Sequence, residues 1–391
     1  MASETRSDRR RGVGLCLSGG GFRATLFHLG AVRRMHELGV LPQVRTISSV
    51  SGGSIFAAFL ADLCIKQGSA ALSISDYDDQ VADPVRRFTA KDLRTWPIVA
   101  HALWNWARPE YRSRHMERRY RDRITRATLA QLPERPCFVF CATDMAFGVN
   151  WEMSREHVGS YRAGYLKGHA EWPVARAVAA SASFPPVFGP LAVGAEDADF
   201  TRGGYKGSDR AKLRSRLGLS DGGVYDNMGL EPVWKEHDWV LVSDCGAPFE
   251  FDASSQPVRR LMRYATVIMN QALSLRWRMY MAGIHHEDYA GSSWAIDTKS
   301  KGAPVGYPDE VVDTIVRVRT DLDSFTEAEQ RILENHGYAV ADRKLNKYAA
   351  DLIEDGAPPA RLPNPEWEDP ARASDALRES HKRFSIRRML S

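Results

Sequence analysis

The stretch Val13–Ala24, V-G-L-C-L-S-G-G-G-F-R-A, opens the part of the chain that decides the fold. A second stretch, Thr46–Ser54, follows the same plan and reads T-I-S-S-V-S-G-G-S. In each, a short apolar run of strand length leads into a glycine cluster, and a helical pattern of apolar residues follows. Strands and helices that alternate at this pace predict a parallel sheet whose crossover connections are right-handed.

The rest of the chain adds elements of both kinds to this start. Helices are predicted at Val174–Ala182 and, behind a capping box formed by Thr326 and Glu329, up to His336. Further strands are predicted from short apolar runs at Cys137–Thr143, Val149–Ser154, Trp239–Asp244, Ser292–Ile296 and Val311–Val318.

A long helix is predicted where apolar residues recur every three or four positions between Val258 and Ala282. The same spacing is typical of a coiled-coil dimer seam. The charges that flank this pattern are irregular, which favours a helix lying on its own domain. The oligomeric state is left open.

Composition limits the classes of protein that this chain can be. Its 391 residues can bury a large core, and its formal net charge is only +4. No apolar run is long enough to span a bilayer, and the polar, basic N-terminus predicts no secretory signal. The five cysteines lie in apolar runs without metal-ligand spacing, which predicts buried free thiols in a cytoplasmic protein with no metal and no cofactor.

The two glycine clusters carry the chemistry that the sequence suggests. Gly19, Gly20 and Gly21 stand at a helix start, where backbone N–H groups can bind an anion. Ser51 stands among small residues where a strand turns sharply into a helix, as in a nucleophile elbow. An activated hydroxyl beside a preformed oxyanion site is the minimum equipment for acyl transfer.

A serine nucleophile needs a base, and Asp221 is the candidate. None of the histidines stands in a turn like that of a triad partner, so each is interpreted as a surface or core residue. Asp221 precedes Gly222 and Gly223, which let the backbone close in while the carboxylate stays reachable. An ordinary Asp-Gly-Gly turn would explain this motif if it stood alone.

Together, these motifs resemble those of the patatin-like phospholipases. The resemblance runs from about Gly12 to Ala341, is weak from Ser73 to Pro136, and is absent beyond about residue 350. It rests on five segments: Ser18–Arg23, Ser49–Gly53, Asp221–Gly223, Ala180–Pro190 and Thr320–Glu329.

The resemblance implies an α/β protein with a three-layer α/β/α fold and a mainly parallel central sheet. The catalytic domain is predicted at 13–350, with helices outside the sheet forming an insertion at about 73–136. Beyond the resemblance, the chain itself predicts a flexible basic arm at residues 1–12 and a C-terminal extension at 351–391. The implied function is a serine lipid acyl hydrolase, of phospholipase A or lysophospholipase type, acting on phospholipid or lysophospholipid.

The resemblance also assigns roles to single residues. Ser51 would be the nucleophile and Asp221 the base of a Ser–Asp dyad, with the oxyanion hole at Gly19, Gly20 and Gly21. Arg23 would brace the glycine loop or bind a phosphate. One position departs from the family pattern, because Ser49 stands where the elbow usually begins with glycine.

Two alternative functions use the same residues. An acyltransferase would pass the acyl group from Ser51 to an alcohol instead of water. A catalytically inactive protein would keep only lipid binding, and a serine-reactive probe would then fail to label it.

Contact with the inner face of the membrane is predicted from two stretches. Trp96–Trp106 combines tryptophans with flanking arginines, a composition typical of lipid headgroup contact, although a cap helix packed on the sheet explains it equally well. The basic tail Ser380–Ser391 is a second candidate. No motif supports binding to nucleic acid.

Overall fold

The computed structural model describes most of the chain, and the strands and helices given below are those of the described part. The described residues are 12–68, 72, 74–93, 111–185, 188–201, 203–247, 257–299, 305–378 and 380. The predicted arm at 1–12, except its last residue, the Trp96–Trp106 stretch and the C-terminal tail beyond Ser380 lie outside these ranges.

One mixed sheet of eleven strands forms the centre of the fold. Five strands run parallel in the order β11-β10-β1-β2-β3, and antiparallel strands β4, β5, β6 and β8 continue from β3. The strands are β1 (Val13–Leu17), β2 (Val44–Val50), β3 (Cys137–Asp144), β4 (Val149–Met153), β5 (Val158–Ser160), β6 (Gly164–Leu166), β7 (Leu191–Ala192), β8 (Phe200–Thr201), β9 (Gly218–Asp221), β10 (Trp239–Asp244) and β11 (Ala290–Ala295).

The described helices lie on both sides of this sheet. They are α1 (Gly21–Glu37), α2 (Gly52–Gln67), α3 (Asp83–Thr89), α4 (Tyr111–Arg123), α5 (Val174–Ser181), α6 (Arg210–Ser215), α7 (Gly223–Asp226), α8 (Pro257–His285), α9 (Asp309–Val316), α10 (Glu327–Tyr348) and α11 (Pro370–Leu377). The described part of the chain holds no helix that combines the length and the apolar character needed to cross a bilayer.

Alternation along β1 shows how the layers form. Leu15 and Leu17 point into the larger core, which α1, α2 and α10 cover. Cys16, between them, points into a smaller cluster on the opposite face, where Tyr280 of α8 is buried. Side chains that alternate between two covered faces give a strand that is apolar throughout, as its sequence is. The predicted three-layer α/β/α fold is confirmed.

The edge of β3 brings two distant segments together. β2 pairs along this edge up to Val50, which stands opposite Cys141. β9 then takes the same edge at the next position, because Asp221 stands opposite Ala142 while β4 occupies the other edge. Ser51, which follows β2 directly, is therefore placed next to the end of β9.

One predicted strand is wrong. Val311–Val318 was predicted as extended from its apolar content, but helix α9 covers most of it. Val311, Val312 and Ile315 are its buried residues and recur at helical spacing, and Pro308 with two acidic residues marks its start. The strand near Ser292, the long helix and the Thr326–Glu329 capping box are confirmed.

The extent of the catalytic domain stays a prediction. Near its proposed end, α11 packs on α9 and α10, so residues beyond 350 extend the same body.

Candidate active site

Ser51 occupies a strained turn between β2 and α2. Its backbone lies at φ 51° and ψ −115°, in the left-handed half of the map that residues other than glycine rarely adopt. The next residue must be glycine, because a Cβ on Gly52 would collide with the carbonyl oxygen of Gly21. The two glycine loops thus press against each other, and Ser51 stands where they meet.

The glycine loop leaves two backbone donors available. The Gly19 N–H donates to the carbonyl of Asn227 at 3.1 Å, and the Phe22 N–H donates to the carbonyl of Asp321 at 3.0 Å. Between them, the N–H groups of Gly20 and Gly21 have no acceptor within the described residues. Of the three predicted oxyanion donors, Gly19 is therefore already engaged.

The backbone at Thr320 and Asp321 packs directly against the glycine loop at Gly21. Gly21 has φ 59°, and a Cβ there would collide with the Thr320 carbonyl oxygen. The side chain of Arg319 pairs with Glu329 and with Asp321, the latter at 3.2 Å. This segment belongs to the Thr320–Glu329 motif, whose role was not predicted from the sequence because its contact with Gly21 joins opposite ends of the chain.

Asp221 is buried at the end of β9 with one oxygen committed and one not. The Gly223 N–H donates to its Oδ1 at 2.8 Å, and the Thr143 hydroxyl donates to its backbone carbonyl at 2.7 Å. Its Oδ2 is buried and has no hydrogen-bond partner within the described residues. An unpartnered carboxylate oxygen in an interior is costly unless a functional group uses it.

Burial raises the pKa of Asp221 to about 7, and hydrogen bonding from the Gly223 N–H and from the Ser51 hydroxyl opposes this rise. The Ser51 hydroxyl is thus near enough to affect the carboxyl. The two groups do not form a full hydrogen bond, since Oδ2 stays unpartnered among the described residues. Catalytic hydrogen bonds are often long or poorly aligned before substrate binds.

A network of serine hydroxyls supports the elbow from below. Ser181 accepts from the Ser51 N–H at 2.9 Å and donates to the Cys141 carbonyl at 2.6 Å. The Ser54 hydroxyl lies 2.8 Å from that of Ser181 and 3.0 Å from that of Ser49, and its one proton can serve either contact. Ser49, the residue that departs from the family pattern, is thus part of this network of hydroxyl groups. The sequence signal for Ser181 was its place in the Ala180–Pro190 motif.

Other polar residues near the site have structural roles. The Asp226 carboxylate accepts from the N–H groups of Met228, Leu230 and Glu231. The His28 ring is fully buried and bonds to Ser243 and to the Ser18 carbonyl. Within the described ranges, no group of three or more His, Cys, Asp or Glu side chains could hold a metal ion.

Arg23 is buried beneath the glycine loop and bonds to three backbone carbonyls. One guanidinium nitrogen donates to Val316 at 2.8 Å and to Val318 at 2.9 Å, and another donates to Cys245 at 3.1 Å. These contacts tie α1 to the ends of α9 and β10. They support a bracing role over binding of a phosphate.

We expect Arg23→Met to destabilise the protein by about 3–5 kcal/mol, because three charge-assisted hydrogen bonds are lost and their carbonyls stay buried. Arg23→Lys should lose less, since one bond can re-form. The measurement is urea unfolding, with the exposed Arg87→Met as control. Unchanged stability with a raised KM for phospholipid, but not for a neutral ester, would instead assign Arg23 to the phosphate.

Comparison with known proteins now adds to this geometry. Among solved structures, human GIVD cytosolic phospholipase A2 matches with a TM-score of 0.38 and 13% identity, over 62% of this chain and 47% of that one. VipD from Legionella pneumophila matches with a TM-score of 0.38 and 14% identity, over 87% and 67%. This chain spans about half of the cytosolic phospholipase A2 chain and about two thirds of the VipD chain. No curated protein matches the sequence.

The comparison with protein families identifies the family of this chain, because the match covers more than half of its residues. The family described as "Patatin-like phospholipase" matches residues 15–234, which is more than half of the chain and runs from within β1 to beyond α7. That span contains both glycine loops, Ser51 and Asp221. The chain therefore belongs to the patatin-like phospholipase family, as its motifs predicted.

Proposed function

We propose that this protein hydrolyses fatty acyl esters of phospholipids or lysophospholipids through a Ser51–Asp221 dyad and an acyl-enzyme intermediate. The observation that carries the proposal is the buried Asp221 oxygen without a partner, next to a serine held in a strained elbow. A carboxylate with an ordinary pKa near 4 is a poor base for an alcohol. Burial, which raises the Asp221 pKa to about 7, makes it a useful one.

The first half of the proposed reaction forms the acyl-enzyme. Asp221 accepts the Ser51 proton as the Ser51 oxygen attacks the ester carbonyl carbon. We assign stabilisation of the resulting oxyanion to the N–H groups of Gly20 and Gly21, which have no acceptor in the described part of the chain. Each such donor contributes about 3 kcal/mol in other hydrolases. Asp221 then returns the proton to the leaving alcohol as the ester bond breaks.

The second half releases the fatty acid. Water attacks the acyl-enzyme carbonyl, and Asp221 accepts a proton from that water. The same two N–H groups bind the second oxyanion, and the proton returns to Ser51 as the acyl bond to its oxygen breaks. The proton balance closes with the enzyme unchanged.

We infer that this reaction takes place in the cytoplasm, a reducing compartment, at the inner face of the membrane. The five cysteines are free, and four of them are buried, as expected for a cytoplasmic protein. The substrate is a lipid, so the protein must contact the bilayer at least transiently.

The test of the function is lipid mass spectrometry after incubation of the purified protein with mixed phospholipid vesicles. We expect free fatty acid and the matching lysophospholipid in equal amounts. Added glycerol acts as an alternative acceptor, and an acyl group found mainly on glycerol would identify an acyltransferase. If a fluorophosphonate labels no serine and no product forms, the site is inactive and the proposal fails.

A further inference from the structure

Helix α8, Pro257–His285, is unusual in how little of its length the domain covers. Its 29 residues span about 43 Å. Near its C-terminal end, Tyr280 is buried against Val240 and Val242 of β10. From residue 263 to residue 279, none of the side chains that the structure describes is buried. A helix of this length is expected to bury an apolar face. Among the described side chains of α8, full burial is confined to its C-terminal end, and Leu273 and Met279 are partly buried against the same cluster.

The exposed side of α8 carries a line of large apolar residues, which we call the outer face. Ile268 is 68% exposed, and Tyr264 and Leu275 are each 59% exposed. They follow one another at spacings of four and seven residues, which places them on one side of a helix, with Val267 beside them. Tyr280, which packs on the sheet, falls on the opposite side.

The charged side chains of α8 are all basic. Its sequence contains five arginines and no aspartate or glutamate, and one of these arginines, Arg276, is paired with Glu231 of the domain. Anionic lipid attracts such a helix by about 1 kcal/mol for each arginine near the surface. A second copy of the helix would bring arginines against arginines, which opposes a dimer seam. An apolar stripe with basic flanks is the pattern of a helix that lies in a membrane interface.

The helix is also joined to the loop that carries the proposed base. α7 begins two residues after Asp221. Arg276 of α8 stacks over the Tyr225 ring of α7 at 4.9 Å and pairs with Glu231 at 2.6 Å. These contacts connect α8 to the segment that follows Asp221. A surface on which α8 docked would therefore have a fixed position relative to Asp221.

We propose that the outer face of α8 docks on an anionic lipid surface and holds the active site at the interface. The inference rests on the proposed function, since a lipid substrate is the reason for such a surface. It names a membrane contact other than Trp96–Trp106 and the C-terminal tail, which lie outside the described residues.

Binding is tested in full-length protein that carries Ser51→Ala, so that vesicles are not consumed. The double variant Ile268→Ser and Leu275→Ser is compared with the unaltered outer face by flotation with vesicles of phosphatidylcholine containing phosphatidylserine. We expect about a tenfold loss of the partition coefficient, because apolar area no longer enters the interface. Matched controls are Met145→Ser and Tyr348→Ser, which are 57% and 48% exposed elsewhere, and these should bind as before.

A charge variant keeps the test valid if the double variant folds poorly. Arg278→Gln, at an exposed position, should weaken binding severalfold on vesicles with phosphatidylserine and leave binding to pure phosphatidylcholine unchanged. Unfolding midpoints measured on all variants confirm that the fold is kept.

Several results would overturn the proposal. Equal binding of the double variant and its controls would do so, as would a protein that binds neither kind of vesicle. A dimer in sedimentation that the double variant disrupts, with vesicle binding intact, would assign the outer face to a second copy. Absent turnover by the enzyme with Ser51 intact would refute the proposed function and leave the binding result standing.

Discussion

Ser51→Ala is expected to lower hydrolysis of phospholipid esters by a factor on the order of 10⁴ or more, with the fold intact. The change removes only the hydroxyl, and with it the sole group we assign to attack the ester. The Ser51 N–H still donates to Ser181, so the elbow keeps its support. The measurements are fatty acid release and fluorophosphonate labelling, and both should vanish together.

The control for this change is Ser208→Ala, at an exposed serine outside the site. It should retain full activity and full labelling. Turnover by Ser51→Ala near the rate of the control would show that another nucleophile attacks the ester. Such a result would refute the Ser51–Asp221 dyad but would not affect the assignment to the family.

Asp221→Asn is expected to lower activity by a comparable factor, about 10⁴, and at the same time to stabilise the protein at alkaline pH. The asparagine amide keeps the shape of the side chain but cannot accept the Ser51 proton. In other hydrolases, replacing a catalytic aspartate by asparagine has an effect of about this size. The unaltered enzyme should gain activity as pH rises through about 7, where Asp221 loses its proton.

The stability effect follows from the sign of the pKa change. Burial raises the Asp221 pKa to about 7 from an ordinary value near 4, so the folded state holds this proton over a range where the unfolded state has released it. Stability from this group is present below pH 4 and is lost as pH rises through about 7. At about 1.4 kcal/mol per pKa unit, the loss at pH 8 is at most about 4 kcal/mol.

Asparagine carries no such loss, so Asp221→Asn should gain stability at pH 8 and almost none at pH 4. Urea unfolding at both pH values measures the difference, with the exposed Asp355→Asn as the matched control. A gain of equal size at both pH values would show that ionisation of Asp221 is not its cause. An active Asp221→Asn enzyme would remove Asp221 from the dyad.

Local patterns were enough to predict the elements that meet at the site. A glycine cluster between a strand and a helix is a signal within ten residues, and it located the Ser51 elbow and the glycine loop at Gly19–Gly21. The same kind of signal selected Asp221, which precedes two glycines. The strand predicted at Val311–Val318 failed because a short apolar run cannot distinguish period two from helical spacing without its neighbours.

Contacts between distant segments could not be predicted in this way. The Asp321 carbonyl that engages the Phe22 N–H, and the Asn227 carbonyl that engages Gly19, are fixed by packing across the sheet. Neither has a local signature. Arg23 illustrates the same limit, since its sequence context allowed two roles and only its three carbonyl contacts favour one of them.

The shared edge of β3 has a consequence for when this protein becomes reactive during synthesis. A nascent chain that has left the ribosome only as far as β3 holds Ser51 but not Asp221, because β9 has not yet been translated. A slip of β9 by one residue would also turn Asp221 to the other side of the sheet. If Ser51 and Asp221 form the proposed dyad, the chain cannot act on lipids before β9 pairs with β3, a timing set by the order of its strands.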